Sequence, residues 1–513
     1  MSDTRRDFLK FIVTGSVAAG CPVDFSLLTA ADNPVPQVDG DHYDICHQVR
    51  DGHTFGKPPV SKHYDVVIVG GGVSGLSAAY FLRQHDFLLL EKEPHWGGNA
   101  TLGDYQGQAF CSGSAFDYAG TASDHLSREL GLAPLPINCP DPTIVNGKWV
   151  ADTWGTGLDQ LPYSASVRES FKKFRKDMLA LASEKNQEQF DNVPLSKYLK
   201  TYAPEVKQWW DCYGPSNYGA ASDDTSTMVA LGELKDMTGA AEHDTRVTLP
   251  GGNATLALKL FETLQAKAAE RMIGGATIVS VDQQKTDVHV TYVQGKALHT
   301  VAAKFVVMAT PKFITARIVS GLSDAQTDAM RSFRFCPYLV INMIYMIYDK
   351  PVYNRAYDSW CPGNTFSDVV VADWVMQNQP GYKQKNNILT FYTPVSELHR
   401  DKLLQVAGCQ RIAENVLRDF QKLMPEFSPE PIEVHVYRRG HPMFLSAPGV
   451  FTKIIPAANQ PLERVVFANT DSVGPESLVY GAVEASRRAA DWTEKRMAGA
   501  TPAAARAAAG FHK

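Results

Sequence analysis

Tyr64-Asp-Val-Val-Ile-Val-Gly70-Gly-Gly-Val-Ser-Gly75-Leu-Ser-Ala-Ala-Tyr80-Phe-Leu-Arg-Gln84 decides the reading of this chain. Asp65–Val69 is a continuous apolar run, the pattern of a strand buried on both faces. The glycine turn follows at once, and Leu76–Gln84 then repeats at helical spacing. Phe87–Leu90 is a second buried strand that ends on Glu91. Strand, GxGxxG, helix, strand and acid in this order form a dinucleotide-binding unit. Gly70 allows the tight turn, Gly72 lets backbone approach a diphosphate, and Gly75 lets helix pack on sheet. Val73 and Ser74 open the helix, whose unpaired N–H groups and positive end suit the phosphates. Glu91 is placed to accept hydrogen bonds from both ribose hydroxyls, which disfavours a 2′-phosphate.

Working outward, Lys92-Glu-Pro-His-Trp-Gly97-Gly98-Asn99 puts a glycine pair just past the second strand. Further on stand Leu249-Pro-Gly-Gly-Asn-Ala-Thr-Leu256, Ala276–Asp282, Phe305-Val-Val-Met-Ala-Thr-Pro311, Arg464–Asp471 and Gly481-Ala-Val-Glu-Ala485. Together these blocks resemble the flavin-containing amine oxidase superfamily, which includes phytoene desaturases and protoporphyrinogen oxidase. Asn99 stands where the arginine of the family's Gly-Gly-Arg is usual, which moves the chain toward members such as bacterial spermidine dehydrogenases. The resemblance implies FAD as cofactor. It also implies an α/β fold, with a discontinuous Rossmann-like FAD-binding domain (63–130, 250–334, 441–492) and an inserted α+β substrate domain (131–249, 335–440).

Cofactor contacts carried over by this resemblance are Lys92, Gly97, Gly98, Asn99, Gly113, Ser114, Ala115, Ile278, Thr470, Asp471, Leu478 and Val479. The start of the Gly481 helix is expected to face the pyrimidine edge of the flavin. Two family positions are altered. The lysine six residues after the Ala-x-Pro turn falls on Arg317, which can hold a water or an anion but cannot act as a base. The aromatic cage position falls on Leu478, with Tyr480 one residue before Gly481. Tyr345, Trp374, Tyr392 and His441 are further candidates for the pocket over the flavin, and Tyr345, Tyr392, His441, Arg317 and Tyr480 form the candidate catalytic set. Cys111 is the cysteine considered for a covalent flavin link, although no motif requires one.

Three functions remain open at this level. One is hydride transfer from an amine, polyamines included, to the flavin. The second is oxidation of a C–C or C–O bond in an apolar substrate. The third is a flavoprotein assembly or electron-transfer partner. The electron acceptor is oxygen, a cytochrome or a quinone.

Met1-Ser-Asp-Thr-Arg-Arg-Asp-Phe-Leu-Lys10 with the apolar run Phe11–Gly20 resembles a twin-arginine export signal, so residues 1–30 read as an address and the protein as periplasmic or exported. Ala18-Ala-Gly-Cys21 resembles a lipoprotein box, with Cys21 as the acylated residue. Residues 31–62 read as an extended lead-in with His42, Cys46, His47 and His53 in a polar surface loop. Their spacing matches no zinc or haem pattern. Residues 493–513 read as a tail.

The 513 residues carry 50 Lys plus Arg against 55 Asp plus Glu, a net charge of −5, with 44% apolar content. That excludes a disordered chain and a polybasic nucleic-acid binder. Eight cysteines without a CxxC pair exclude a disulfide scaffold. With no uninterrupted apolar run of 18 residues, no spanning helix is expected. Lys172, Lys173, Arg175 and Lys176 line one face of a predicted helix, a solvated face or a patch for an acidic partner. Trp209, Trp210, Tyr213 and Tyr218 read as core.

Overall fold

The Val60–Val69 strand leads directly into the glycine turn and the Val73–Phe81 helix. The helix is buried along its whole length, as its Ala, Ser and Gly content allows. The structure is a computed structural model that describes residues 34–347, 351–427, 429–474 and 477–511. The export signal and Cys21 lie outside these residues.

From Pro36 onward the chain forms one compact unit built on two large sheets. In the first, Val60–Val69 lies between two parallel neighbours, Phe87–Leu90 and Ala297–Met308. Ala297–Met308 is long enough to serve two neighbours at once. Its early half pairs antiparallel with Val288–Gln294, while its late half takes Val465–Phe467 in parallel. The C-terminal helix Val479–Met497 packs on Val73–Phe81, where Ser486 Oγ donates to Ser74 O at 2.7 Å. Strands separated by almost 400 residues therefore form one nucleotide-binding layer.

The second sheet has eight strands, with Phe335–Met346 between Asn386–Pro394 and Glu433–Phe444. Register partners share a face, so the pairings sort its side chains. Tyr338, Val340, Asn342, Asp358, Asp368, Thr390, Tyr392, Tyr437 and Arg439 lie on one face. Leu339, Ile341, Met343, Tyr345, Leu389 and Phe391 lie on the other, packed with Val416, Leu417 and Phe420 of the Val406–Leu423 helix. Beside this sheet, Trp154, Phe171, Phe174, Trp209, Trp210, Tyr213 and Tyr218 form a helical core.

Two surface features differ from the sequence reading or sharpen it. The lead-in is not a loop: Gln37–Gly40 pairs in parallel with His435–Arg438, and Asp44–Arg50 is helical. Polar residues without periodicity hide an edge strand whose partner is some 400 residues away. On the Ala165–Ala182 helix, Lys172 pairs with Asp159 and Glu169, and Lys173 with Asp177. Arg175 donates to Trp154 O at 2.7 Å. These cations serve their own fold. Among the described residues, no helix is long and apolar enough to cross a membrane.

Candidate active site

At the nucleotide end, the glycines divide by what they touch. A Cβ on Gly75 would lie 1.7 Å from Gly70 O, so close helix–strand packing requires this glycine. A Cβ on Gly72 would meet nothing nearer than Gly98 Cα at 3.7 Å. Here the protein leaves open the space that a diphosphate fills, at the N-terminus of a helix with no side-chain cap. Gly72 and Gly97 form an isolated parallel bridge, which brings the Gly97-Gly98-Asn99 loop against the turn.

Glu91 is buried and fixed at both oxygens. Gly71 N donates to Oε2 at 2.5 Å, and Glu93 N to Oε1 at 2.8 Å. Burial pushes its carboxyl above the ordinary range, against the pull of these two N–H groups. Lys92 bonds away from it, to Glu93 and to His42 O. Ile278 is buried beside Leu88 and Leu90, next to the end of the Glu91 strand. The residues present fit an adenine dinucleotide.

Toward the other end, a Cβ on Gly113 would lie 1.7 Å from Asn99 O, so the two predicted flavin segments touch through backbone. Asn99 Nδ2 donates to Pro442 O at 2.9 Å. The Ser114 and Ala115 carbonyls are held by Asn253 N and by the Thr248 and Tyr357 hydroxyls. Tyr392 Oη donates to Gly113 O at 2.5 Å and lies 3.3 Å from Cys111 Sγ. Burial pushes the Cys111 thiol up, which makes it a poor nucleophile. Asn342 Nδ2 donates to Cys111 O at 3.2 Å. The inner face of the eight-stranded sheet is thus pinned to the Cys111–Ala115 segment by hydroxyl and amide groups.

The five candidate catalytic residues do not assemble in one place. Tyr392 sits on that inner face. Tyr345 lies on the opposite face, fully buried, with its hydroxyl 3.5 Å from Met343 Sδ. Alternation along the strand separates the two. Arg317 is exposed and folds back to donate to Phe313 O at 2.7 Å. It stands in the last turn of the Lys312–Ile318 helix. The buried cation of that helix is Lys312, which sequence reasoning missed. Its ammonium meets Asp471 and Ser472.

The His441 ring lies against that of Phe313, with centroids 4.6 Å apart and planes tilted by 36°. Burial, aided by Arg400, holds its imidazole down at about 4, so it is neutral near pH 7. Tyr480 lines a cavity of about 480 Å³ with Tyr118, Thr121, Glu233 and Asp236. Leu478 caps the Val479–Met497 helix without a side-chain bond, Val479 is buried, and Thr470 opens the short turn that carries Asp471. Trp374 Nε1 reaches Ile137 O at 3.4 Å.

Sequence reasoning also missed a group of buried acids. Arg246 contacts Asp141, Asp244 and Asp358. Asp368, on the inner face, accepts from Ser216 and Ser367. Burial pushes its carboxyl up to about 7 and that of Glu233 likewise to about 7. A signal was present in the sequence only as scattered single acids.

A nucleotide-binding sheet, an open diphosphate turn and a second sheet closing over the flavin segments define a two-domain flavoenzyme. The chain belongs to the flavin containing amine oxidoreductase family, whose model matches residues 73–492. It is an FAD-dependent oxidoreductase. Oxidoreductase PigB of Serratia sp. (strain ATCC 39006) is 21% identical over 516 residues, spanning 83% of this chain and 75% of PigB. Putrescine oxidase bound to putrescine shares the fold with a TM-score of 0.65 at 16% identity, over 85% of this chain and 99% of that one. Cyclohexylamine oxidase from Brevibacterium oxydans does so with a TM-score of 0.65 at 18% identity, over 85% and 99%.

Proposed function

We propose that this protein is exported and oxidises amines, polyamines among them, by hydride transfer from the carbon next to nitrogen. The observation that carries this reading is the excess of buried acid beside the inner face. Arg246 has Asp141, Asp244 and Asp358 around it, and Asp368 lies further along the same face as Asp358. Asp358 is only 3% exposed, and its Oδ1 finds no hydrogen-bond partner among the described residues. Buried carboxylates in excess are stabilised by an incoming cation and disfavour an apolar ligand. The reacting nitrogen must be neutral, and the aromatic surroundings of Tyr338, Tyr357 and Tyr392 favour that form. A second ammonium, as in a polyamine, keeps its charge against the acids. FAD, when bound, accepts the hydride and passes electrons to oxygen or to a carrier. Structures sharing the fold include oxidases of putrescine and cyclohexylamine, which supports an amine substrate.

Anaerobic mixing of the holoenzyme with putrescine, spermidine, monoamines and non-nitrogenous alcohols tests this. Amines are expected to bleach the flavin absorbance. Bleaching by the alcohols alone would overturn the reading. Export rests on Arg5-Arg6 and the apolar run after them. A chain lacking residues 2–20 is expected to stay active in the cytoplasm, and its continued export would refute the signal.

A further inference from the structure

We propose that residues 36–51 form a strap that clamps the adenosine end of FAD, with His42 as a positioning residue for the ribose acid Glu91.

The strap is anchored at three places. Its strand, Gln37–Gly40, extends the eight-stranded sheet through parallel pairing with His435–Arg438, and Gln410 Nε2 donates to Pro36 O at 3.1 Å. Next, Asp41 accepts from Arg439 Nη1 and from Gly440 N, both at 3.3 Å. Arg439 in turn reaches Thr101 Oγ1 at 3.0 Å, beyond the Gly97–Asn99 loop. Finally, the Asp44–Arg50 helix rests on the Ala276–Gln283 strand, and its Val49 packs against the cluster that holds Ile278. The strap therefore runs from the substrate-side sheet across to the strand expected to support the adenine.

Between the second and third anchors, His42 grips the loop after Glu91. Its backbone N–H donates to Glu93 Oε1 at 2.9 Å, and its Nδ1 lies 2.5 Å from Glu93 Oε2. Lys92 Nζ returns a bond to His42 O at 3.2 Å. Glu93 N then holds Glu91 Oε1, while Gly71 N of the diphosphate turn holds Oε2. One chain of bonds connects His42 to Glu93, Glu91 and the turn. It fixes the ribose acid in place, while each Glu91 oxygen retains a lone pair for a ribose hydroxyl. A ligand held by such a preorganised acid under a covering segment leaves slowly, because the strap must detach first.

The experiment measures FAD release from the full-length holoenzyme after dilution, by recovery of free-flavin fluorescence. His42→Ala is expected to speed release at least tenfold. His42→Asn, which keeps a donor near the place of Nδ1, is expected to restore most of the slow release. Limited proteolysis of the unaltered chain gives a second readout: cleavage within residues 36–51 is expected to be at least fivefold slower with FAD than without. Wild-type release from His42→Ala, or equal cleavage with and without FAD, would overturn the proposal. If His42→Ala does not fold, the proteolysis comparison decides alone.

Discussion

Lys312 Nζ lies 2.9 Å from Asp471 Oδ1, and neither side chain has any exposure to solvent. Asp471 Oδ2 also accepts from the Lys312 backbone N–H at 2.7 Å, and the ammonium reaches Ser472 Oγ at 2.5 Å. The pair fastens the turn after Ala297–Met308 to the segment after Val465–Phe467, two strands that are themselves paired. Burial lowers the pKa of Lys312, against the pull of the Asp471 charge. Asp471 reads in the sequence as a cofactor contact. In the fold it is also the counter-ion of a buried lysine.

Removing one partner leaves a buried charge alone. Lys312→Met is expected to cost about 3–5 kcal/mol, read as a lower denaturant midpoint. The double variant Lys312→Met with Asp471→Leu is expected to recover at least half of that loss, since an apolar pair of similar volume carries no desolvation cost.

The turn glycines separate packing from ligand binding. Gly75→Ala drives a methyl into Gly70 O, so it is expected to lower the stability of the apoprotein by about 3 kcal/mol or more. Gly72 has φ −70° and free space, so Gly72→Ala is expected to fold normally yet bind FAD at least about tenfold more weakly. Thermal unfolding of the apoprotein and flavin titration distinguish the two.

Tyr345 and Tyr392 are neighbours in the reading of the sequence and not in space. Tyr345→Phe loses only a hydroxyl near Met343 Sδ, and flavin reduction is expected to stay within about twofold of wild type. Tyr392→Phe frees Gly113 O and is expected to slow reduction at least about fivefold in stopped-flow traces.

The pH response follows from His441, which packs on the Phe313 and Phe335 rings within the field of Arg400, Asp41, His47 and Arg317. Its folded pKa is about 4, below the usual 6.5, so between these values the unfolded chain binds more protons than the folded one. Its contribution to stability is present above pH 6.5 and is lost as pH falls toward 4, with a slope of at most about 1.4 kcal/mol per pH unit. His441→Phe is expected to flatten that part of the stability curve in urea melts at stepped pH.

Arg317 shows what a count of residues leaves open. Arg317, six residues past the Ala-Thr-Pro turn, stands in the last turn of the Lys312–Ile318 helix, and the direction of its side chain depends on a helix phase that the count does not contain. Alternation along Phe335–Met346 shows that Val340, Asn342 and Ile344 oppose Tyr345, but not which side faces the flavin segments. The acids around Arg246 come from points about a hundred residues apart, so no window of sequence contains them.

From its sequence alone, the protein's cofactor class and nucleotide-binding unit were settled. They depend on local rules: a glycine where backbone must approach closely, an apolar run buried on both faces, an acid at the strand end. The tertiary structure alone decided the Lys312–Asp471 pair, the acids beside the inner face and the strap over Glu91. Each joins side chains from distant segments, and strand register and helix phase, which fix such meetings, are properties of the folded whole.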